Sequence, residues 1–265
     1  MRKSVYRACW DYIVSSKKYI FLAIDLFLIS AIIGFAFSSQ LGFLDTTIKD
    51  LLDKTQDLQG LALIWFIFQN NALSSLVGLF FGAFFAIVPI FNAIINGAIV
   101  GYVISIATKE LGPTVIWRLL PHGVFELPAI FISLGLGLRL GIGFFSRYFK
   151  FYSKNLRMKR KALFSFSAIS MGLLAFFLSI RDIMFVPSRA YDFVYLLLFF
   201  GGFLCVLLGL VLFCLVFFVS DRKLRAIQIN SFLDELTKSF RVFVYVIIPL
   251  LVIAAIIEGL LITLA

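Results

Sequence analysis

The chain alternates between long apolar stretches and shorter polar segments. Six stretches are each about as long as the ~20 mostly apolar residues that a helix needs to cross a membrane. They are residues 19–38, 73–108, 115–145, 163–180, 193–219 and 242–264. This pattern predicts an all-α polytopic integral membrane protein, with about six membrane-embedded helical segments in a single membrane domain.

The composition excludes the soluble classes of protein. Of the 265 residues, 62% are hydrophobic and only 14% are charged, whereas soluble domains have about 45–50% apolar and about 25% charged residues. So much apolar surface cannot be buried in one water-soluble core. The three cysteines, Cys9, Cys205 and Cys214, form no disulfide or metal-binding pattern.

The distribution of charge predicts an orientation. Basic residues outnumber acidic ones in segments 1–18, 146–161 and 220–241, whereas 39–72 is acidic and 181–192 is balanced. Because Lys and Arg accumulate in cytoplasmic loops, the three basic segments and the N-terminus are predicted to be cytoplasmic, in a plasma membrane protein. They also suit anionic lipid headgroups of the bilayer. The net charge of +10 is therefore read as a topological signal, and nucleic acid is not expected as a partner.

The number of crossings conflicts with this orientation. Two simple crossings, 73–108 and 115–145, would return the chain to the outside, although 146–161 is predicted inside. The second stretch has 31 residues, which is ~46 Å as one helix against a hydrocarbon core of ~30 Å. Its helix-breaking residues are Pro121, Gly123 and Pro128. We therefore predict that 115–145 is broken, as a re-entrant or hairpin element that enters and leaves on the cytoplasmic side.

Two other segments have predicted local structure. Stretch 73–108 is also longer than one crossing requires, and it is predicted to bend near Pro89. Segment 220–241 repeats apolar residues at helical spacing among charges, which predicts an amphipathic cytoplasmic helix. This helix either lies in the membrane interface or packs on the bundle as a linker.

Ionisable residues inside the apolar stretches are the main functional candidates, because charge is costly there. They are Asp25, His122, Glu126, Arg139 and Glu258. His122 and Glu126 are four residues apart and share a helical face, as do Asn92 and Asn96. Asp25 is expected near the inner interface, and Glu258 is expected to bond to a neighbouring helix.

Three interpretations of the His122–Glu126 pair are open. Glu126 pairs with Arg139 or His122 to fasten the helices, or the group lines a pathway for a proton, an ion or a lipid headgroup, or it forms a metal or proton site. A metal site needs three or four ligands, and the chain has one His, so no metal, cofactor or catalytic residue is expected. Nucleophile motifs, phosphate loops and dinucleotide fingerprints are also missing, and an enzyme is not expected.

Pairs of glycines four residues apart indicate close helix packing. The pairs are Gly78/Gly82, Gly97/Gly101 and Gly137/Gly141. Small faces of this kind let helices approach closely in lipid, so 73–145 is predicted to be the tightly packed centre. These faces suit a homodimer and intramolecular packing equally well.

The same residues resemble the stage II sporulation protein M family. Residues 120–129, LPHGVFELPA, are similar to the family signature P-H-G-x-x-E-x-P-A, and a glycine-rich run from Gly135 to Gly141 follows as in the family. Residues 253–259, IAAIIEG, with Thr263 are similar to its closing motif. The stretches 163–180 and 193–219 form an additional pair of spans between these regions.

The resemblance implies a multi-pass membrane protein. In spore formers the namesake is a membrane component of a cell-wall-hydrolysing complex, where it is thought to anchor or organise the enzymes. Our first hypothesis is therefore a non-enzymatic scaffold that recruits other membrane or envelope proteins. The alternative is a transporter, channel or lipid-handling protein with a polar site around His122 and Glu126, and an intramembrane hydrolase is a third hypothesis.

Overall fold

The computed structural model describes residues 4–42, 44–45, 58–83, 86–112, 114–152, 164, 167 and 222–264. No strand occurs among them. Their α-helices are α1 Val5–Ser15, α2 Lys17–Ala36, α3 Gly60–Phe80, α4 Ile87–Leu111, α5 Val115–Tyr152, α6 Arg222–Val242 and α7 Ile248–Leu264. A π-helical segment, Phe243–Ile247, joins α6 to α7, and short 3-10 turns lie at Ser38–Gln40 and Phe81–Ala83.

Five helices in the described part are long and apolar enough to cross a membrane, which confirms the all-α polytopic class. They are Lys17–Ala36, Gly60–Phe80, Ile87–Leu111, Gly123–Gly143 and Ile229–Leu261. The predicted spans 163–180 and 193–219 lie outside the described residues, apart from residues 164 and 167.

The predicted long span 73–108 is in fact two helices. Helix α3 begins at Gly60, inside the segment predicted to be an outer loop, and ends at Phe80. Ala86 has a left-handed backbone, with φ of 56°, and α4 starts immediately after it. Pro89 is the third residue of α4, where the missing N–H costs no helical hydrogen bond. The proline therefore lies in the first turn of a new helix and does not bend an existing one.

The predicted break in 115–145 is also corrected, because α5 is a continuous helix from Val115 to Tyr152. The helix contains Pro121, Gly123 and Pro128 without interruption. Prolines are tolerated in membrane-spanning helices because the backbone groups that lose a hydrogen bond are satisfied by neighbouring helices, polar side chains or ordered water.

The additional span α3 removes the conflict in crossing number. Residues 17–143 contain four candidate spans, and four crossings return a chain to the side from which it started. The conflict had come from counting too few spans, and a re-entrant element is not needed to resolve it.

Helix α6 continues into α7 through the π-helical segment. Pro249 cannot donate a backbone hydrogen bond, and the widened turn Phe243–Ile247 lies directly before it, as expected where a helix adapts to a local defect. Phe232 and Leu236 of α6 pack against the hydrophobic core of the bundle. The C-terminal part of α6 is therefore a packed extension of the final span.

Candidate functional site

The two glutamates of the signature motifs come together in one polar group. Glu126 of α5 accepts a hydrogen bond from the Asn71 side chain of α3, and it lies within electrostatic range of Glu258 of α7. Three helices that are distant in sequence thus each contribute one polar side chain. We call Asn71, Glu126 and Glu258 the carboxylate site.

Small residues of α7 hold the carboxylate site together. A Cβ added at Gly259 would collide with the Ile64 side chain of α3, so glycine beside Glu258 allows the two helices to approach closely. Ala255 of α7, one turn before Gly259, is fully buried against Leu63 and Ile67 of α3. This packing sets the position of Glu258 relative to Asn71.

The chemistry available at this site is limited to a few options. Two neighbouring carboxylates repel each other when both are ionised, and the Asn71 amide stabilises charge on Glu126. The hydrogen bond from Asn71 to Glu126 fastens α3 to α5, and two acids within electrostatic range of each other are able to take up a proton. No group of three or more His, Cys, Asp or Glu side chains that could hold a metal occurs among the described residues.

Arg139 does not join the carboxylate site, contrary to the predicted pairing with Glu126. Its Nε donates to Oε2 of Glu235 at 3.4 Å, and its NH1 donates to Ser15 Oγ at 2.6 Å and Ser16 Oγ at 2.7 Å. The guanidinium also lies 4.3 Å from the centre of the Tyr12 ring. These contacts fasten α5 to α6 and to the bend between α1 and α2.

We call Arg139, Glu235, Ser15, Ser16 and Tyr12 the arginine cluster. Tyr12 also connects this cluster to α6. Its hydroxyl is 3.1 Å from Ser239 Oγ and donates to the backbone oxygen of Glu235 at 3.2 Å. Burial raises the pKa of Tyr12 above its ordinary value, and the Ser239 hydrogen bond and the Arg139 charge oppose this only in part. The phenol therefore stays protonated at physiological pH and remains able to donate.

Asn92 and Asn96 form a third, separate polar group. Nδ2 of Asn96 donates to the Asn92 backbone oxygen at 2.8 Å and to its side-chain oxygen at 2.7 Å. Nδ2 of Asn92 in turn donates to Ser74 Oγ of α3 at 3.3 Å. The two asparagines thus share a face of α4, as their spacing predicts, and they bind α3.

The predicted glycine faces pack against other helices of the same chain. A Cβ at Gly97 would collide with the backbone of Phe27, and one at Gly101 with that of Ala31, so α4 and α2 are in backbone contact. The other four glycines lie between α3 and α5: Gly78 faces Leu134, Gly82 faces Gly137, Gly137 faces Gly78 and Gly141 faces Gly82. The sequence left both a homodimer and intramolecular packing open for these six glycines, and the six contacts seen here are intramolecular.

Two further predicted residues fall elsewhere. Asp25 is exposed on α2 and is the ninth residue of this 20-residue helix, and its position near the inner interface stays a prediction. His122 and Pro121 belong to helix α5, but their side chains lie outside the described set. The predicted contact between His122 and Glu126 therefore stays a prediction.

Two surface grooves of the described part are lined by residues outside the carboxylate site. One of about 480 Å³ lies along α3 and is lined by residues that include Trp65, Gln69 and Asn70. Another of about 330 Å³ lies where α2 and α4 end, and includes Ser105 and Lys109. Neither groove is lined by Glu126 or Glu258.

Asn71, Tyr12 and Glu235 are the functional residues that sequence reasoning missed. Asn71 stands in an uncharged polar run, Gln69–Asn71, within otherwise apolar sequence. That context was a usable signal, because amides at membrane depth bind neighbouring helices. Glu235 and Tyr12 lie in polar segments, where nothing local distinguishes them from solvated residues.

Comparison with known proteins gives one match. A family model described as "Stage II sporulation protein M" matches residues 23–180, which is more than half of the chain. The matched region contains the signature motif with Glu126, whereas Glu258 lies outside it. No curated protein and no solved structure matches the chain.

Proposed function

Because the chain belongs to the stage II sporulation protein M family, we propose that it is a non-enzymatic membrane scaffold that recruits partners of an envelope-associated complex. The supporting observation is the pairing of polar groups inside the bundle. The carboxylate site, the arginine cluster and the asparagine pair each join different helices. Polar residues used in this way stabilise one arrangement of helices.

The proposal includes a location and an orientation. The protein lies in the plasma membrane with its N-terminus in the cytoplasm, since segment 1–18 is strongly basic. The even number of candidate spans between residues 17 and 143 supports this orientation, because the basic segment 146–161 then follows on the same side. Single cysteines introduced at Gln40 and Ser146 should be labelled from opposite faces of intact cells.

The test of the scaffold compares partner binding with flux. The full chain is purified from native membranes in mild detergent, and the purified protein is reconstituted into liposomes that contain a proton-sensitive dye. We expect the same partner proteins in replicate purifications, together with a proton flux no greater than in protein-free liposomes. Flux above that background without partners would contradict the scaffold proposal.

A second candidate function is supported by the carboxylate site. Carboxylates within apolar helices are typical of proton or ion pathways, and Glu126 and Glu258 lie within electrostatic range of each other, so a transporter, channel or lipid-handling role centred on Glu126 is the alternative. Under that proposal, Glu126→Gln abolishes flux in the same liposomes. Leu134→Val, a volume change on the same helix that leaves the acid in place, is the matched control and should retain flux.

A further inference from the structure

Ser75 of α3 has a buried hydroxyl that makes no hydrogen bond within the described part of the chain. The residue is only 2% exposed, so bulk water does not solvate its Oγ. Burying a hydroxyl without a partner is destabilising, because the group loses its hydrogen bonds to water. A group of this kind in a folded protein is explained by strain, by a catalytic role, or by a bound water or ion, and Ser75 lies within a regular α-helix.

Ser75 belongs to the face of α3 that packs on α5. Asn71, Ser75 and Gly78 recur at helical spacing and therefore share one face of α3. Asn71 binds Glu126 of α5, and Gly78 packs closely against the same helix. Between them, the Ser75 backbone oxygen accepts a hydrogen bond from Ser133 Oγ of α5 at 2.5 Å. Ser75 thus lies inside the contact between the two helices.

The Ser75 side chain also leans towards the carboxylate site. The Cα–Cβ bonds of an α-helix tilt towards its N-terminus, and Asn71 lies one turn before Ser75. The Asn71 amide donates to Glu126 through its nitrogen, so its oxygen remains an acceptor. The Glu126 carboxylate, the Asn71 amide oxygen and the Ser75 hydroxyl therefore lie along one short part of the α3–α5 contact.

A small cation matches the chemistry of these groups. Carboxylate, amide and hydroxyl oxygens are the ligands that hard metal cations prefer. Glu126 is acidic, and Glu258 of α7 lies within electrostatic range of it. A water molecule would satisfy the Ser75 hydroxyl but adds no charge to oppose the two acids. No group of three acids occurs among the described residues, which favours a monovalent cation over Ca²⁺, whose affinity depends on the number of charged ligands.

From this arrangement we propose that Glu126, Asn71 and Ser75 bind a sodium ion that fastens α3 to α5, and that Glu258 contributes negative charge from α7. The ion gives the Ser75 oxygen a partner and opposes the charge of the acids. The inference goes beyond the proposed scaffold function and does not depend on it, because an ion that holds helices together requires neither a partner protein nor flux.

Thermal unfolding of the purified full chain tests the proposal in detergent. NaCl is titrated against choline chloride, so that the ionic strength stays constant. We expect Tm to rise with sodium and to saturate, because a ligand that binds only the folded state stabilises it. KCl and CaCl₂ at equal ionic strength should stabilise the protein less than NaCl.

Two buried serines of the same helix contact provide the variant and its matched control. Ser75→Ala removes the ion ligand and should raise the sodium concentration for half-maximal stabilisation about tenfold or more. Without sodium its Tm should equal or exceed that of the wild type, because the hydroxyl without a partner is gone. Ser133→Ala removes a hydroxyl that already has a protein partner, so it should lower Tm and keep the sodium dependence.

Binding of radiolabelled sodium to the folded protein gives a second measurement that needs no unfolding. The wild type should bind sodium saturably, and Ser75→Ala should bind about tenfold more weakly or worse. Equal Tm in sodium and choline, an unchanged sodium dependence in Ser75→Ala, or greater stabilisation by potassium or calcium would each overturn the inference. Partner capture without a sodium effect would leave the scaffold proposal in place, and sodium binding without partners would count against the scaffold alone.

Discussion

Replacing Gly101 by alanine should destabilise the bundle, because no space for a methyl group exists between α4 and α2. The added Cβ would collide with the Ala31 carbonyl oxygen and lie 2.7 Å from its carbonyl carbon and 2.9 Å from the Phe35 backbone nitrogen. These are backbone atoms, which cannot rotate away as a side chain does. The two helices must separate along this contact.

The expected magnitude follows from two opposing effects. Forcing a methyl group into a packed interior costs about 1–3 kcal/mol, and the backbone contact puts Gly101→Ala at the upper end. Alanine gains about 1 kcal/mol over glycine in helix propensity. The net loss should therefore be about 2 kcal/mol, which corresponds to a fall in Tm of about 4–8 °C at ~2–4 °C per kcal/mol.

Thermal unfolding in detergent measures this effect, with the monodisperse fraction after heating as the signal. Gly123→Ala is the matched control, because the Leu127 side chain, at 3.7 Å, is the only contact that its Cβ would make with the described side chains. The control should melt at or slightly above the wild-type temperature. The reasoning is refuted if Gly101→Ala melts with the wild type, or if both variants lose stability equally.

Three further changes have expected outcomes in the described part of the chain. Tyr12→Phe keeps the ring below the guanidinium but removes the hydroxyl contact with Ser239, and should cost about 1 kcal/mol in the same thermal assay; an unchanged Tm would show that this hydroxyl contributes no stability. Asn71→Leu removes the donor to Glu126 and should cost about 1–3 kcal/mol, whereas equal stability would mean that the amide is not needed there. Cys9 is 3% exposed, and burial raises the pKa of its thiol. At pH 7–8, maleimide should therefore label Cys9 far more slowly in native than in denatured protein, as measured by peptide mass spectrometry. Rapid labelling of the native protein would contradict this burial.

The sequence predicted the class of the fold well but missed one span. Hydrophobic length identified α2 and the final span, because their apolar residues are continuous. Only residues 60–72 of α3 are predicted to be loop, because the polar run Gln69–Asn71 interrupts the apolar sequence, whereas residues 73–80 are joined to α4 in the predicted span 73–108. Some polar side chains of α3 bind other helices: Asn71 binds Glu126, and Ser74 Oγ accepts a hydrogen bond from Asn92 Nδ2 at 3.3 Å. Average hydropathy cannot distinguish polar residues that face a bundle from those that face water.

Proline positions were misjudged for a related reason. A proline in an apolar stretch was taken as a bend or a break, but its effect depends on where the helix begins. Pro89 is in a first turn, where its missing N–H is harmless, and Pro128 lies within a continuous helix. The sequence contains the proline but not the position of the helix start, which the turn at Ala86 sets.

The candidate site was predicted in part. The motif spacing identified Glu126 and Glu258, and the structure brings them together with Asn71. The predicted pairing of Glu126 with Arg139 depends on a break in 115–145 that would bring the two parts together, and α5 is continuous. A helix separates residues 13 positions apart by ~20 Å, however, and Arg139 instead meets Glu235. Partners that are about 100 residues apart can be found only when the packing of the helices is known.

The glycine contacts bear on the choice between scaffold and transporter. They join α2 to α4 through Gly97 and Gly101, and α3 to α5 through Gly78 and Gly137. Sliding within either pair would break direct backbone packing. Separating one pair from the other would also break a close contact, because a Cβ at Gly135 of α5 would meet the Ile20 backbone of α2. The carboxylate site lies on α3, α5 and α7, and α3 and α7 are themselves closely packed at Gly259. Separation of the two pairs would leave this site closed, and the packing therefore favours a static role for its three side chains.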